Sequence, residues 1–62
     1  MDSRRVLKLL REDGWEVVTV RGSHHKLRHP SKPGAVTLPH PKKDLPVGTL
    51  RSIERQSGLK LT

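Results

Sequence analysis

Apolar residues recur at helical spacing near the start of the chain, at Val6, Leu7, Leu9 and Leu10. This stripe predicts an amphipathic helix, because residues three and four apart share one helix face. Asp2 or Ser3 can cap the helix by accepting backbone N–H bonds from its first turn. Gly14 is the type of residue that ends a helix in the left-handed conformation. We therefore expect a first helix that stops before Gly14.

The pattern then changes to that of β-strands. Residues 15–20 are aromatic and β-branched, a composition typical of strands. Gly22 provides a permissive backbone for a tight turn, and a second strand is predicted from about residue 24 to residue 29. A third strand is predicted at residues 35–38, after a proline- and glycine-containing turn. Three consecutive strands with local connections predict an antiparallel sheet.

The last part of the chain predicts a second helix. Proline breaks both regular elements, so residues 39–44 are predicted to be irregular. Pro46 opens the helix at its first position, where a missing N–H costs nothing. Its predicted buried face consists of Val47, Leu50 and Ile53. Gly58 ends this helix, and Leu59 is expected to fold back onto its last turn.

The element order α-β-β-β-α predicts an α+β fold, with a three-stranded antiparallel sheet and both helices on one face. A chain of 62 residues has room for a single domain, residues 1–62, and one small core. No apolar run approaches the roughly 20 residues that span a membrane, and no signal-peptide stretch follows Met1. The absence of cysteine fits a reducing compartment. We expect a cytoplasmic protein without membrane contact.

Charge is distributed unevenly along the chain. The formal charge is +7, and residues 1–16 contribute none of it because their four basic and four acidic residues cancel. The whole excess therefore lies in residues 17–62. Such a field attracts polyanions, among which nucleic-acid backbones are the most common in a cytoplasm. An acidic protein partner, or a surface that simply stays solvated, would fit the same charge.

The predicted second strand combines histidine with basic residues. Side chains alternate across a sheet, so His24, Lys26 and Arg28 share one face. Leu27 is strongly apolar and should point at the helices, together with His25. The open face then carries an imidazole beside two cations at the end of a glycine turn. Because histidine exchanges protons near neutral pH and cations hold phosphates, this face is a candidate phosphodiester site.

Each of these residues also has an ordinary structural interpretation. His24 can be a surface residue beside a turn, His25 a packed or edge histidine, and His29 part of the following turn. No histidines have the spacing of a zinc motif, and neighbours on opposite strand faces cannot easily chelate one ion, so no metal is predicted. Four further basic residues either contact phosphates or remain solvated: Lys42, Lys43, Arg51 and Arg55.

Several segments together resemble the HicA family of toxin–antitoxin systems. The segments are Glu-Asp-Gly-Trp at residues 12–15, Gly-Ser-His-His-Lys-Leu-Arg-His-Pro at 22–30, Val-Thr-Leu-Pro-His-Pro at 36–41 and Gly-Thr-Leu-Arg-Ser-Ile at 48–53. A Gly-Ser-His triplet alone carries little information, but these segments follow this order over nearly the whole chain. The resemblance implies a small RNA-cleaving toxin with the fold of a double-stranded-RNA-binding domain, which cleaves mRNA and inhibits translation and growth.

The resemblance also implies a catalytic histidine in the glycine turn, which Gly22 shapes. The doubled histidine leaves two candidates: strand alternation selects His24, whereas a wide bulge after Ser23 would select His25. A HicB-type antitoxin is implied as the partner that covers the active face, and its binding would raise apparent stability. We expect a monomer when free, a hetero-oligomer with the antitoxin, and no cofactor.

These inferences combine into a mechanistic hypothesis. His24 acts as general base on a ribose 2′-hydroxyl while Lys26 and Arg28 stabilise the phosphorane-like state. The products are a 2′,3′-cyclic phosphate and a 5′-hydroxyl. Three alternatives are open for the second acid: there is none, it is His40, or it is the solvent. The main alternative is a non-catalytic double-stranded-RNA-binding module, which would recognise phosphates and 2′-hydroxyls. A third hypothesis, a DNA-binding or partner-binding domain, has less support because the sequence has no convincing helix-turn-helix pattern.

Overall fold

The computed structural model describes residues 1–62 and confirms the order α-β-β-β-α. The elements are α1 (Ser3–Glu12), β1 (Glu16–Arg21), β2 (His24–Arg28), β3 (Ala35–Pro39) and α2 (Val47–Ser57). The three strands form one antiparallel sheet in the order β1-β2-β3. Neither helix is long and apolar enough to cross a membrane.

Local sequence signals fix the boundaries of α1. The Asp2 carboxylate accepts the Arg5 N–H at 2.8 Å and caps the first turn, as predicted. Gly14 has a φ of +106°, a backbone conformation that favours glycine, and it ends the helical path two residues after Glu12. The chain then turns so that the backbone N–H of Trp15 donates to the Leu10 carbonyl. This turn brings the indole ring under the helix.

The pairing of the strands is regular except at one position. A β-bulge between Val17 and Thr19 leaves Val18 without a partner in β2. The β2–β3 pairing is unbroken from one end to the other. At the outer edge of β3, the Thr37 N–H donates to the side-chain carbonyl of Gln56 in α2 at 3.2 Å. This contact covers part of an otherwise unpaired sheet edge.

The hydrophobic core lies between the two helices and one face of the sheet. Trp15 and Leu27 are fully buried, as expected for a core anchor and for the inward residue of β2. The complete core cluster comprises Val6, Leu10, Trp15, Leu27, Val36, Leu38, Leu45, Leu50, Ile53 and Leu61. Because both helices supply residues to this one cluster, the opposite face of the sheet remains open. The predicted arrangement of two helices on one sheet face is confirmed.

The start of α2 differs from the prediction. Pro46 is the N-cap residue rather than the first helical residue, and Val47 is 57% exposed rather than buried. Leu45, two residues before Val47, takes its place in the core. Leu45 and Leu50 stand at the N′ and N4 positions, the pair that forms a hydrophobic staple at a helix start. The apolar side chain that closes this end of the core therefore precedes the helix.

After α2, Leu61 also joins the core, which the sequence pattern did not predict. Gly58 has a φ of +77° and ends α2, and Leu59 packs against the core as expected. The Glu54 carboxylate then accepts the N–H groups of Leu61 and Thr62 at 2.6 and 2.9 Å. These hydrogen bonds lower the pKa of Glu54, and the bond from the Leu61 N–H has the larger effect. The buried Leu61 side chain is thereby held against the fold.

Candidate active site

A tight turn joins β1 to β2 and presents the candidate histidine. Gly22 has a φ of +56°, and no other side chain or backbone atom lies within 4 Å of where its Cβ would be. Arg21 and His24 are direct cross-strand partners on either side of this turn. The glycine therefore allows a close reversal of the chain that places an arginine beside His24.

The register of β2 decides which histidine faces which side. The bulge lies in β1, and β2 pairs continuously with β3 from His24 onward, so no bulge follows Ser23. His24, Lys26 and Arg28 are exposed, whereas Leu27 is buried. The predicted division of β2 into an open face and an inner face is confirmed.

The open face contains a shallow recess around His24. Its lining consists of Thr19, Arg21, His24, Lys26 and Thr37. No acidic residue lines it, and neither Arg21 nor Lys26 has an ion-pair partner, because the two ion pairs of the protein lie elsewhere. Neither ring nitrogen of His24 makes a hydrogen bond within the protein. A phosphate in this recess would meet two free cations and an imidazole that can exchange a proton.

The set of cations differs from the one predicted. Arg28 lies on the open face, but at the far end of β2 opposite Glu16, and it does not line the recess. Arg21 takes its place beside His24. The two-residue turn was the signal that could have identified Arg21, because a short hairpin pairs the residues that flank its turn.

His25 occupies the opposite side of the sheet. Its half-buried ring packs edge-to-face against His40, with the ring centroids 4.9 Å apart. His40 Nδ1 lies 2.7 Å from the Ser3 hydroxyl, near the start of α1. Neither His25 nor His40 lines the recess around His24. His40 is therefore not placed to serve as the second acid for a phosphate bound there.

The other predicted phosphate ligands lie apart from His24. Lys42 and Lys43 line a separate recess near the start of α1, together with Arg4 and His40. Arg51 and Arg55 are exposed on α2, whose opposite side packs on the inner face of the sheet. Arg55 donates a hydrogen bond to the Ser52 hydroxyl at 3.1 Å. The structure thus distributes these four cations over two other surfaces.

His29 has a structural environment. It lies in the turn after β2, which ends at Arg28 rather than at about residue 29. Its ring centroid is 5.2 Å from that of Trp15 in an edge-on contact. Nε2 donates to the Asp13 carbonyl at 2.7 Å, and Nδ1 accepts the N–H groups of Ser31 and Lys32 at 2.9 and 3.1 Å. These partners fix the neutral tautomer with its proton on Nε2.

Asp13 completes the cluster around His29. Lys32 Nζ donates to its carboxylate at 2.6 Å, and the Trp15 indole N–H donates at 3.2 Å. The hydrogen bond from Lys32 is the main reason that the pKa of Asp13 is lowered. No group of three or more His, Cys, Asp or Glu side chains in the protein is arranged to hold a metal ion.

The fold and this site define a class of small basic α-β-β-β-α domains that present a histidine from a hairpin turn. Comparison with protein families then identifies the class: the family described as the HicA toxin of bacterial toxin–antitoxin systems matches residues 3–59. The chain belongs to this family. The resemblance found in the sequence is confirmed.

Comparison with solved structures supports the same family assignment. A chain of the HicA3 and HicB3 toxin–antitoxin complex is similar to this protein with a TM-score of 0.86 and 33% sequence identity. The similarity covers 100% of both chains, so the two have the same architecture throughout. None of the curated proteins compared with the sequence matches it.

Proposed function

We propose that this toxin is an endoribonuclease that cleaves mRNA, with His24 as its catalytic residue. The observation that carries the proposal is the state of His24: its side chain is exposed, both ring nitrogens lack a partner, and Arg21 and Lys26 line the same recess. A general base needs a free lone pair within reach of its substrate. Family membership and the net charge of +7 support RNA as that substrate.

The proposed reaction is transesterification. His24 takes the proton of a ribose 2′-hydroxyl, and the 2′-oxygen attacks the adjacent phosphorus. The bond from phosphorus to the 5′-oxygen breaks, and that oxygen receives a proton from the solvent. Arg21 and Lys26 stabilise the negative charge of the phosphorane-like state, and Arg28 lies further along the strand. The products are a 2′,3′-cyclic phosphate and a 5′-hydroxyl.

Other cations are proposed to bind the rest of the RNA. Lys42, Lys43, Arg51 and Arg55 are all exposed and none of them has an ion-pair partner. Contacts of this kind fix the register of a nucleic acid and make its affinity depend on salt. They serve binding rather than chemistry, because they lie away from His24.

A HicB-type antitoxin is the proposed partner. The solved relative comes from a complex of HicA3 with HicB3. An antitoxin that covered the open face would block the recess around His24. It would also stabilise this small fold by binding only its native state. We propose that the free toxin is a cytoplasmic monomer and that the complex with antitoxin is a larger hetero-oligomer.

The test compares wild type with His24→Ala and with His25→Ala, the substitution at the neighbouring histidine. These neighbouring residues lie on opposite sides of the sheet, so one substitution removes the proposed base and the other does not. We expect His24→Ala to lower the cleavage rate of end-labelled RNA by about 10²- to 10⁴-fold. Cleavage should persist in EDTA and should leave cyclic phosphate ends.

Three outcomes would contradict the proposal. Full cleavage by His24→Ala together with loss in His25→Ala would transfer the role to His25. Loss of wild-type cleavage in EDTA would show that a metal ion takes part. RNA binding without cleavage by all three proteins would favour a non-catalytic double-stranded-RNA-binding module.

A further inference from the structure

The start of α1 and the end of β3 are joined by a compact set of hydrogen bonds. The buried Ser3 hydroxyl accepts the Lys42 N–H at 2.7 Å, and the Ser3 N–H donates to the Lys42 carbonyl at 2.8 Å. The same hydroxyl lies 2.7 Å from His40 Nδ1. The His40 ring is therefore attached to a helix whose own position is fixed by the core.

The backbone of His40 reaches the turn that presents His24. The His40 N–H donates to the Ser23 carbonyl at 2.7 Å. Apart from the ladder bonds of the sheet, this is the one hydrogen bond that Gly22 or Ser23 makes with the rest of the protein. Both residues are exposed, so His40 supplies the one backbone hydrogen bond that holds this turn from outside the β1–β2 hairpin.

The ring of His40 also supports the side of β2 opposite His24. It packs against His25 at 87°, close to perpendicular. His25 Nδ1 is buried and has no hydrogen-bond partner, the single side-chain nitrogen or oxygen of the protein in this state. Such an atom weakens a fold rather than stabilising it. The visible contribution of the His25 ring is thus its contact with His40, one residue along the strand from His24.

We propose that His40 is a positioning residue for His24. Its N–H holds the turn at Ser23, and its ring, attached to Ser3 and packed on His25, keeps that N–H and the start of β2 in place. The inference rests on the proposed function, because it assumes that the placement of His24 limits cleavage. It gives His40 a part in the reaction without contact with the phosphate.

The experiment measures both kinetics and motion in four variants. His40→Ala removes the ring, and His40→Asn retains a polar group near the position of Nδ1. Ser3→Ala removes the hydroxyl partner, and Ser31→Ala, an exposed serine, is its matched control. Cleavage rates are taken per folded molecule at temperatures where Trp15 fluorescence shows each variant to be native. NMR order parameters report the motion of the Ser23 and His24 amides.

We expect His40→Ala to lower the rate at saturating RNA by about 10- to 100-fold, since a small misplacement of a reacting group is enough for such a loss. KM should stay within about twofold of wild type, because RNA binding is not removed. The order parameters of Ser23 and His24 should fall from about 0.85 to below about 0.6, with that of Trp15 unchanged. Ser3→Ala should act in the same direction, and His40→Asn should recover most of the rate.

The two measurements must change together. An unchanged rate in His40→Ala, or a lower rate with unchanged order at Ser23 and His24, would overturn the proposal. If His40→Ala fails to fold, Ser3→Ala and His40→Asn decide between these outcomes. If the wild-type protein cleaves no RNA, the proposed function fails, and the order parameters still show whether His40 holds the turn.

Discussion

A histidine lies at each end of β2, and the two side chains have opposite environments. His29, just after the strand, uses both ring nitrogens in hydrogen bonds to the backbone and packs its ring on Trp15. His24, at the start of the strand, is exposed and makes no hydrogen bond through either nitrogen. Each lies near a glycine with positive φ, Gly14 at one end and Gly22 at the other.

This difference in hydrogen bonding determines which histidine is free to take part in proton transfer. To accept a proton at Nδ1, His29 would have to release the N–H groups that this nitrogen accepts, because a protonated ring is a donor at both nitrogens. His24 has no hydrogen bond at either ring nitrogen that would have to break. A histidine whose hydrogen bonds are complete holds a fold together, and one whose nitrogens are free can serve as a base.

The largest change in stability is expected from His29→Ala. The substitution removes the edge-on contact with Trp15 and the bond to the Asp13 carbonyl, and two backbone N–H groups lose their acceptor. We expect a loss of about 2–3 kcal/mol in the free energy of unfolding. In a domain of this size such a loss lowers Tm by about 10–20 °C. Urea and thermal unfolding followed by the fluorescence of Trp15, the single tryptophan, would measure it.

The control for this prediction is His24→Ala at the other end of the strand. Its free energy of unfolding should stay within about 0.5 kcal/mol of wild type, as for other exposed side chains without partners. Equal losses of stability in the two variants would contradict the division of roles between the histidines.

Much of the fold could be predicted from the sequence, because the deciding interactions are local. The stripe from Val6 to Leu10, the cap at Asp2 and the glycine at position 14 defined α1 without knowledge of the rest. Strand alternation in β2 placed His24 and Leu27 on opposite faces, and the structure confirms this. Patterns of this kind depend on residues only a few positions apart.

The parts that could not be predicted depend on residues far apart in the chain. Ser3 and His40 meet across 37 positions, and no local pattern indicates that contact. Val47 matched the spacing of a buried face, but only the position of α2 on the core shows that Leu45 fills that end. Such contacts follow from topology rather than from periodicity.

A smaller loss of stability is expected from Gly14→Ala, with Gly22→Ala as its counterpart. A Cβ at Gly14 would lie 2.8 Å from His29 Nε2 in a backbone conformation with a φ of +106°. A Cβ at Gly22 would meet no atom within 4 Å, so only its φ of +56° is unfavourable. We expect losses of about 2 kcal/mol at Gly14 and about 1 kcal/mol at Gly22 in urea unfolding. The reverse order would show that His29 moves aside freely.

The smallest effect, and the one that depends on pH, is expected at the carboxylate beside His29. The hydrogen bond from Lys32 lowers the pKa of Asp13 in the folded protein below its ordinary value of 3.8. The ionised carboxylate therefore stabilises the fold in full above about pH 4, and this contribution disappears as the pH falls through the lowered pKa. Asp13→Asn should be less stable than wild type at about pH 7.

The difference between wild type and Asp13→Asn should shrink as the pH falls below the ordinary pKa of the carboxyl group. Urea unfolding at about pH 7 and about pH 3 would measure it, and the lowered pKa of Glu54 contributes equally to both proteins. Asp44→Asn is the control, since the ion pair of Asp44 with the N-terminal amine is exposed and should add little. A difference that is the same at both pH values would mean that Asp13 acts through packing and neutral hydrogen bonds. The cluster around His29 would then hold this end of β2 without any contribution from charge.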